Sequence, residues 1–372
     1  MTRNSAIIWK RFFLCGKMMR TIQNGRVFMR VLVAMSGGVD STVAAMLLRD
    51  AGWEVGGAYM RMLPPELSAS EDGREARRAA ERLEIPFYEF DMVSDFREQV
   101  LDYFCGSYLG GSTPNPCVVC NRMIKFGAFY REAEKLGYER IATGHYARVL
   151  RTGPALRLLR SAHREKDQSY FLHGLSLSQL ERAVFPLEYY DKERVRAAAA
   201  LFGFENADRK DSQDICFVKG GPGAYADFIE AYTGRKLEHG TFTDPQGRVL
   251  GTHEGIARYT IGQRKGVRTA FGRPLYVIAK NAADHTVVMG EDALLYSDTV
   301  RVKEFNLLYP DYDPDHLTAK HRYGQPDMPA ALSLDGSEAV ITFKKPQRAV
   351  TPGQFAVVYD GETVVGGGEI CE

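Results

Sequence analysis

The sequence lacks the features that would place it among membrane, secreted or strongly charged proteins. None of its apolar runs is long enough to span a membrane, so we expect no membrane partner. Six cysteines in 372 residues are too few for a disulfide scaffold and favour a reducing compartment, which predicts a cytoplasmic protein. The chain has no internal repeat or low-complexity stretch, and its length allows two or three domains with separate cores.

An overall excess of charge is also missing, because the formal net charge is only +1. Of the 48 basic residues, seven lie within residues 1–30, which contain no acid, and 41 remain against 47 acidic residues. A role in nucleic-acid binding therefore needs local basic surfaces. Residues 1–29 are predicted to form a disordered basic extension, which is either a mitochondrial transit peptide or a tail from an upstream start codon.

The segment Ser36-Gly37-Gly38-Val39-Asp40-Ser41 is the most informative in the sequence. An apolar run at 31–35 predicts a strand before it, and residues 42–48 predict a helix after it. A Gly-rich turn that opens a helix suits a phosphate, because backbone amides and the helix N-terminus favour an anion. An ordinary strand–turn–helix corner with a Ser cap is the alternative. The sequence contains no GxxxxGK[ST] motif, so the lysine of a P-loop is missing.

Strand-like and helix-like segments alternate from residue 30 to about residue 219, which predicts an α/β domain with a Rossmann-like parallel sheet. Ligands of such sheets bind at the carboxyl ends of the strands, where the SGGVDS turn lies. We expect strands at 31–35, 55–60, 87–91 and 140–143, and helices at 42–51, 74–83, 95–108 and 125–136. Short alternating segments after residue 220 predict two small β-rich domains, 220–292 and 293–372.

A close pair of cysteines follows a proline-rich loop. In residues 113–126, two prolines stiffen the loop, and a helix is predicted to begin near Cys120–Arg122. A cysteine at a helix N-terminus beside basic residues such as Lys125 should be biased toward the nucleophilic thiolate. The spacing of Cys117 and Cys120 alone is also compatible with zinc, redox exchange or packing. No second CxxC exists to complete a four-ligand zinc site.

Seven motifs occur in order along the chain. They are SGGVDST (36–42), TPNPCVVCNRMIKF (113–126), ATGHYAR (142–148), KDQSYFL (166–172), DSQDICFV (211–218), YTIGQRKG (259–266) and PQRAVTPGQ (346–354). The first resembles the pyrophosphate loop of ATP pyrophosphatases, which split ATP between its α and β phosphates to adenylate a substrate. The ordered set closely resembles the tRNA-specific 2-thiouridylases and covers residues 30–372.

The resemblance implies an enzyme that adenylates the C2 oxygen of the wobble uridine in tRNA and replaces this oxygen with sulfur. It implies ATP and Mg²⁺ as cofactors, tRNAs for Lys, Glu and Gln as substrates, and a sulfur donor such as a cysteine desulfurase or a sulfur-relay protein. Adenylation is needed because a uridine carbonyl oxygen is a poor leaving group, whereas AMP is a good one. The target base must leave the anticodon stack, which costs least in an unpaired loop.

The resemblance also implies roles for individual residues. Cys216, which taken alone is typical of a buried core thiol, would carry the sulfur as a persulfide. Cys120 would be the nucleophile and would end as the disulfide partner of Cys216 or assist sulfur release. ATP would contact Ala34, Met35, Ser36, Gly37, Gly38, Val39, Asp40, Ser41, Met60 and Gly144. The target base would meet Asn115, Pro116 and Cys117. The tRNA would touch His145, Lys166, Asp167, Gln168, Arg322, Tyr323 and Gln354.

One departure from the family pattern affects the sulfur chemistry. Many members have an acid where this chain has Cys117, and a thiol does not simply inherit the role of a general acid or base. Cys117, Cys120 and Cys216 could instead hold a [4Fe–4S] cluster with one iron open to sulfide, which would make a persulfide relay unnecessary. The cluster and the cluster-free mechanism are equal alternatives at this point.

Local basic surfaces support RNA contacts independently of the resemblance. Residues 258–280 contain no acid, and their basic and aromatic side chains suit backbone contact and base stacking; these are Arg258, Arg264, Lys265, Arg268, Arg273 and Lys280, with Tyr259, Phe271 and Tyr276. Lys344, Lys345 and Arg348 form a second cluster. A solvated face is the alternative for both clusters. Likewise, His145 is compatible with an ordinary histidine beside a strand end, and residues 166–168 with a surface turn.

Three other functions are compatible with parts of this pattern. An iron–sulfur-dependent thiolase acting on another tRNA base would share the loop, but the β-rich tail with its two motifs argues against it. An amide-forming ATP pyrophosphatase would need an ammonia source, and no glutaminase domain is apparent. A non-catalytic RNA-binding relative would retain a degenerate nucleotide fold, whereas here the SGGVDS segment is intact. Pyrophosphate release in the presence of tRNA separates an enzyme from a binder.

Overall fold

Five parallel strands form the sheet of the N-terminal part of the chain. The computed structural model describes residues 29–64, 71–153, 155–204, 215–218, 220–221, 223–267 and 274–371. Its first seven strands are β1 Arg30–Ala34, β2 Glu54–Arg61, β3 Phe87–Asp91, β4 Arg140–Ala142, β5 Ala147–Thr152, β6 Ala155–Arg160 and β7 Ala183–Val184. The parallel sheet has the order β3-β2-β1-β4-β7. The predicted α/β domain is confirmed, and its four predicted strands agree with observed strands to within one residue.

Helices connect these strands and continue beyond them. The α-helical bounds are Val39–Asp50, Glu71–Arg82, Val93–Phe96, Asp102–Leu109, Pro116–Val119, Phe129–Lys135, Leu177–Arg182, Lys192–Leu201 and Ala224–Thr233. π-helical turns at Arg97–Leu101 and Cys120–Ala128 join their neighbours into continuous stretches at 93–109 and 116–135. No helix in the described part of the chain is both long and apolar enough to cross a membrane. Residues 1–28, which make up nearly all of the predicted basic extension, lie outside the described residues.

The side chains of β1 alternate between two separate cores. Leu32 and Ala34 belong to one buried cluster, which includes Phe129 of the 116–135 helix. Val31 and Val33 belong to the other, which includes residues of the helix Val39–Asp50. Both faces of β1 are therefore covered, as expected for a central strand of a parallel sheet. This packing fixes the carboxyl end of β1, from which the phosphate loop leaves.

A four-stranded sheet follows in the middle of the chain. Its strands are β8 Gly240–Thr243, β9 Val249–His253, β10 Tyr276–Asn281 and β11 Thr286–Gly290, in the order β10-β11-β8-β9. Phe242, Tyr259, Val277 and Met289 lie in its core. The predicted β-rich character of this part is confirmed.

The C-terminal part closes into a barrel. Its strands are β12 Tyr296–Leu307, β13 Leu317–Lys320, β14 Met328–Asp335, β15 Glu338–Arg348, β16 Phe355–Asp360 and β17 Thr363–Ile370. They follow the order β12-β15-β14-β13-β16-β17, and β12 also pairs with β17. Closure pairs both ends of the sheet, which removes the open edges that otherwise invite association. The second predicted β-rich part is confirmed.

A hairpin from the N-terminal part joins this barrel, which the sequence analysis did not foresee. Strands β5 and β6 pair with each other, and Leu159 of β6 pairs with Thr363 of β17. The Arg160 amide also donates to the Glu362 carbonyl oxygen over 2.9 Å. The eight-stranded sheet thus contains strands from both ends of the chain. The alternating segments at 147–160 lie inside a region whose pattern is dominated by parallel strands and helices, so their sequence does not indicate a barrel partner.

Buried arginine contacts reinforce this junction. The Arg160 guanidinium lies over the Tyr359 ring, 3.3 Å from its centroid, and its side chain is 3% exposed. It pairs with Asp167 at 3.6 Å and with Asp327 of the barrel. Arg148 donates to the Glu362 carboxylate over 2.9 Å. A buried guanidinium needs such partners, so the hairpin and the barrel are bound as one unit.

Two buried histidines predict that the fold weakens in acid. His173 and His321 are each 1% exposed, and burial lowers the pKa of each to about 4. The folded state keeps them neutral while the unfolded chain binds protons, so stability is lost as the pH falls from about 6.5 toward 4. We expect urea unfolding at pH 5 to show a loss of about 2 kcal/mol per histidine relative to pH 7.

The variant His321→Gln tests this expectation, with His239→Gln as the control at an exposed position. The first variant should lose part of the difference between the two pH values, and the second should keep it. An identical pH dependence in His321→Gln would contradict the assignment.

Candidate active site at the carboxyl edge of the sheet

The phosphate loop leaves β1 after Ala34 and enters the helix Val39–Asp50. Gly37 has φ 76°, a left-handed conformation that favours glycine. Ser41 in the first helical turn closes the loop, since its Oγ accepts from the Ser36 amide over 3.2 Å and donates to the Gly38 carbonyl oxygen over 3.1 Å. Gly38 caps the helix without a side-chain hydrogen bond. The first amides of the helix are therefore not capped by a side chain at this position, which suits an anion.

Lys192, which the sequence did not point to, forms an ion pair with Asp40, the acid of the phosphate loop. Lys192 Nζ lies 2.9 Å from both carboxylate oxygens of Asp40, and the Tyr146 hydroxyl donates to Asp40 Oδ1 over 2.7 Å. Lys192 begins a helix whose cap is Asp191, which accepts from the Arg194 amide. Asp191 is a residue type that often caps a helix, but no local pattern could link Lys192 to Asp40. The pair places a cation beside the phosphate loop.

Gly144 supports the loop from the neighbouring strand. It follows β4, and a Cβ at this position would lie 2.9 Å from the Asp40 carbonyl carbon and 2.9 Å from the Ser41 amide nitrogen. Such contacts are shorter than real Cβ atoms make, so only glycine allows this approach. Met60 is buried near the carboxyl end of β2, on the other side of β1. Met60 and Gly144, both implied by the resemblance to contact ATP, thus lie on either side of the strand that carries the loop.

The helix with the close cysteine pair begins earlier than predicted. Asn115 caps it, because its Oδ1 accepts from the Cys117 amide over 3.2 Å, and Pro116 occupies the first helical position. Both residue types are favoured there. The predicted start near Cys120–Arg122 is therefore wrong, and it is Cys117 that lies in the first turn. The resemblance implies that the target base meets three residues at the start of this helix. Of these, Asn115 is half-buried, Pro116 is buried and Cys117 is exposed.

The predicted thiolate bias of Cys120 is also wrong. Cys120 is 8% exposed, and burial raises its pKa to about 12, which the positive charge of Lys125 opposes only in part. Cys117 remains accessible at the surface, but the protein atoms crowded around its thiol raise its pKa as well, again against Lys125. Loss of hydration outweighs the basic neighbours at both positions. Burial therefore favours the thiol over the thiolate at Cys117 and Cys120.

Cys216 comes close to Cys120, although the two are far apart in sequence. The two residues that follow it are buried, and the Phe217 ring packs against Phe96, Phe104 and Phe228 at 5.8, 5.1 and 5.1 Å. Cys216 itself is exposed, which contradicts a core role. Its charge contributes to the raised pKa of Cys120, as does that of Cys117. The remainder of this motif, residues 211–214, lies outside the described residues.

Lys125 connects the cysteines with the phosphate loop. Its charge lowers the pKa of Cys117 and Cys120, and it also helps to lower that of His145, for which burial is the larger cause. The His145 ring lies 6.2 Å from the Phe126 ring, and its Nδ1 is 2.8 Å from Thr143 Oγ1. His145 directly follows Gly144, which approaches the phosphate loop, so the charge of Lys125 acts both on the cysteines and on a residue next to the segment that contacts the loop.

The three cysteines do not fit the iron–sulfur alternative. Within the described ranges, no group of three or more His, Cys, Asp or Glu side chains is arranged to hold a metal ion. A cluster would hold Cys120 as a thiolate, a form that burial of this residue opposes in the metal-free protein.

Residues implied to touch tRNA differ in what they contact. Asp167 is buried, and its carboxylate accepts from the amides of Ser161 and Ser169 over 2.9 and 3.1 Å. Gln168 accepts from the Tyr146 amide over 3.1 Å. Lys166 is half-buried beside them. The 166–168 segment is therefore a structured turn built around Asp167.

Arg322 and Tyr323, two barrel residues of this set, contact segments outside their own loop. Arg322 donates to the carbonyl oxygens of Ala349 and Ile261 over 3.0 and 3.4 Å. Tyr323 is exposed and packs on the Phe171 ring at 4.4 Å. A partly exposed aromatic ring of this kind is able to stack on a base.

The predicted basic surface at 258–280 is only partly available. Tyr259, expected to stack on bases, is buried in the central core, and Lys280 points inward to donate to the Tyr259 carbonyl oxygen over 2.9 Å. Arg258 pairs with Asp227 at 3.2 Å. Exposed side chains remain at Arg264 and Lys265, and in the second cluster at Lys344 and Lys345. Arg268, Phe271 and Arg273 lie outside the described residues.

A Gly-rich phosphate loop at the carboxyl edge of a parallel sheet defines a nucleotide-binding α/β protein, here with two β-rich parts attached. Three family descriptions match it in succession: the tRNA methyl transferase HUP domain at residues 29–220, the tRNA methyl transferase PRC-barrel domain at 226–291, and the aminomethyltransferase beta-barrel domain at 297–370.

Curated relatives carry a more specific name. The chain is 41% identical over 358 residues to the tRNA-specific 2-thiouridylase MnmA of Clostridioides difficile (strain 630), covering 92% of this chain and 98% of that protein. The protein of the same name from Lachnoclostridium phytofermentans is 42% identical over 361 residues, with 92% and 99% covered. The chain belongs to the family of the tRNA-specific 2-thiouridylases. A solved 4-thiouridine synthetase with RNA and ATP has 15% identity and a TM-score of 0.34 over 51% of this chain and 45% of its own, too low for any argument.

Proposed function

We propose that this chain uses ATP to activate the C2 oxygen of the wobble uridine in tRNA and replaces that oxygen with sulfur. The observation that carries the proposal is that Cys216, although distant in sequence, lies close enough to Cys120 for its charge to raise the pKa of Cys120. Membership of the 2-thiouridylase family supports the same reaction. In the first step, the uridine oxygen attacks the α-phosphorus of ATP, the bond to the bridging oxygen breaks, and pyrophosphate leaves with its electron pair.

Sulfur replaces the activated oxygen in the second step. The terminal sulfur of a Cys216 persulfide attacks C2, and AMP leaves with the former carbonyl oxygen. The Cys120 thiolate then attacks the Cys216 sulfur, and the S–S bond breaks. Its electron pair stays on the sulfur bound to C2, which forms the thiocarbonyl. A Cys120–Cys216 disulfide remains, and a thiol reductant resets it.

The electrostatics of the site suggest an order for these steps. Negative charge on Cys216 raises the pKa of Cys120 beyond the effect of burial. A charged persulfide on Cys216 therefore holds Cys120 protonated, and this influence ends when the terminal sulfur bonds to C2. Lys125 then favours loss of the Cys120 proton. Premature attack of Cys120 on the persulfide is disfavoured by the same effect.

The phosphate loop and its surroundings fit the triphosphate of ATP. The helix Val39–Asp50 presents its amides at the loop, and Lys192 supplies positive charge beside it. Mg²⁺, when bound, would neutralise phosphate charge. Asp40 is the acid next to the phosphates, but its two oxygens already accept from Lys192 and Tyr146. The ion would therefore be held chiefly through the nucleotide.

The proposed partners follow from the same chemistry. We propose tRNAs for Lys, Glu and Gln as acceptors, and a cysteine desulfurase or a sulfur-relay protein as the donor that loads Cys216. An exposed Cys216 is compatible with loading from a donor protein. The accessible candidates for RNA contact include Tyr323, Arg264 and Lys265, with Lys344 and Lys345 of the second basic cluster.

The decisive experiment incubates the protein with unmodified tRNA, ATP, a thiol reductant and a desulfurase with cysteine, which supplies sulfur already at the oxidation level of a persulfide. We expect pyrophosphate release that depends on tRNA, and mass spectrometry should find 2-thiouridine at the wobble position. Binding of tRNA without pyrophosphate release would instead establish a non-catalytic relative. Protein prepared without air and free of iron should be fully active, whereas dependence on iron would restore the cluster alternative.

Gly144→Ala should impair the ATP step. The added Cβ would enter the space of the Asp40 backbone, which displaces the start of the loop helix. We expect pyrophosphate release to fall at least about tenfold, because catalysis depends on sub-ångström placement. The control is Gly106→Ala, within the helix Asp102–Leu109, where an added Cβ meets no atom within 4 Å. The interpretation fails if Gly144→Ala releases pyrophosphate at the rate of the control.

A further inference from the structure

Both β-rich parts form contacts with one short loop of the α/β domain. Residues 111–114 join the 93–109 helix to the helix that begins at Pro116. From the barrel, the Pro352 carbonyl oxygen accepts from the Thr113 amide over 2.9 Å. The Gln354 amide nitrogen donates to the carbonyl oxygens of Thr113 and Pro114 over 2.8 and 3.4 Å. An amide group has two N–H donors, so both are engaged by the loop.

The residue between these two contacts is a glycine for a physical reason. Gly353 has φ +88°, and a Cβ there would lie 2.9 Å from the Thr113 amide nitrogen and 3.0 Å from Ser112 Cβ. The two backbones are therefore in direct contact, with no side chain between them. A barrel segment that approaches so closely fixes the loop on one side.

The central part holds the other side of the loop. Lys280 of β10 reaches inward, and its Nζ donates to the Tyr259 carbonyl oxygen over 2.9 Å and to the Ser112 carbonyl oxygen over 3.4 Å. Ala282 and Ile256 lie within 4 Å of the Cβ position of Gly111. The loop is thus held between two parts of the chain that contribute no cysteine to the site.

The loop leads directly into the sulfur chemistry. Asn115, the next residue, caps the helix through the Cys117 amide, and Cys120 follows on the same helix. A shift at 112–114 therefore moves the helix start and both thiols. Transfer between Cys216 and Cys120 requires two sulfur atoms to meet, which tolerates little displacement.

We propose that Gln354 and Lys280 are positioning residues, which clamp the 111–114 loop and thereby place Cys117 and Cys120 for sulfur transfer. Gln354 then acts through the protein, and not through the tRNA contact that the family resemblance implies. The inference rests on the proposed function. It makes the two β-rich parts contributors to the chemistry as well as to RNA binding.

The test compares Gln354→Met and Lys280→Met with Gln246→Met, a control at an exposed turn between β8 and β9. Methionine retains length but loses the donor. Three quantities are measured on the full chain: the Kd for tRNA, the thiolation rate at saturating tRNA, and the rate at which iodoacetamide alkylates Cys117, followed by peptide mass spectrometry. We expect both clamp variants to keep the Kd within about twofold, to lose about tenfold or more in rate, and to alkylate Cys117 faster.

Several results would overturn the proposal. A Gln354→Met protein that binds tRNA about tenfold more weakly but thiolates normally at saturation would identify a direct RNA contact. Unchanged values for all three quantities would show that the clamp is not needed. If Gln354→Met does not fold, as judged by circular dichroism, Lys280→Met decides by the same measurements, because its side chain comes from a different part of the chain. A wild-type protein without sulfur transfer would refute the proposed function, while the alkylation rates would still test the clamp.

Discussion

Cys120→Ala and Cys216→Ala are each expected to abolish 2-thiouridine formation while tRNA-dependent pyrophosphate release continues. The phosphate loop performs adenylation without either thiol, so only the second half of the reaction is lost. The expected fall in thiolation is at least about 1,000-fold, because removal of a nucleophile leaves only binding and activation. Pyrophosphate release and wobble-uridine mass spectrometry on the same samples separate the two steps.

Two controls make this result specific. Cys371→Ala removes a partly exposed thiol that directly follows β17 and whose amide donates to the Arg301 carbonyl oxygen of the barrel, and this variant should thiolate at the wild-type rate. The Kd for tRNA should be nearly unchanged in all three variants, because neither site thiol is large enough to supply much binding area. Wild-type thiolation in Cys120→Ala or in Cys216→Ala would refute the site. Loss of pyrophosphate release in the same variants would show that activation and sulfur transfer are not separable.

Lys192→Met is expected to lower pyrophosphate release by about 100-fold, the size of effect seen when one charged or donor group is removed from a reacting centre. Lys192 balances Asp40 beside the phosphate loop, with Nζ 2.9 Å from each carboxylate oxygen. Without the ammonium group, the carboxylate repels the phosphates of ATP at short range, where little solvent screens the charge. The rate of tRNA-dependent pyrophosphate release at saturating ATP, together with the KM for ATP, measures the effect.

A double variant and a matched pair test the cause. Adding Asp40→Asn to Lys192→Met removes the repelling charge, so part of the lost activity should return. Lys303→Met breaks a comparable ion pair with Glu369, 3.2 Å long, on the surface of the barrel, and should leave the rate unchanged. If Lys192→Met is as active as Lys303→Met, the ion pair between Lys192 and Asp40 has only a structural role.

The parallel sheet and its loop were predictable because their signals are local. An apolar strand, a Gly-rich turn and a helix lie within about twenty residues at 31–50, so periodicity and turn chemistry locate the phosphate loop without any distant contact. The same holds for strands such as β3, whose predicted and observed bounds agree. Long-range pairings carry no such signal. Lys192 and Asp40 are far apart in sequence, and neither residue type indicates the other.

The state of Cys120 could not be predicted for a related reason. Sequence shows nearby basic residues, which favour a thiolate, but not the packing that excludes water from the thiol. Burial outweighs Lys125, and the helix starts at Pro116 because Asn115 is able to cap it. The proximity of Cys216 depends on Phe217, whose aromatic neighbours come from two other helices. Family resemblance pointed to the two cysteines, whereas their protonation required the structure.

The pairing of β6 with β17 bears on how the chain is made. A ribosome that adds about 5–20 residues per second needs about 10–40 s to proceed from Leu159 to Thr363. Throughout that interval the β5–β6 hairpin has an edge without its final partner, which is a template for aggregation. Its two strands carry four arginines, Arg148, Arg151, Arg157 and Arg160. Positive charges on this unpaired edge oppose association between nascent chains. The arginines that later contact the barrel therefore also protect the hairpin from aggregation until β17 has been synthesised.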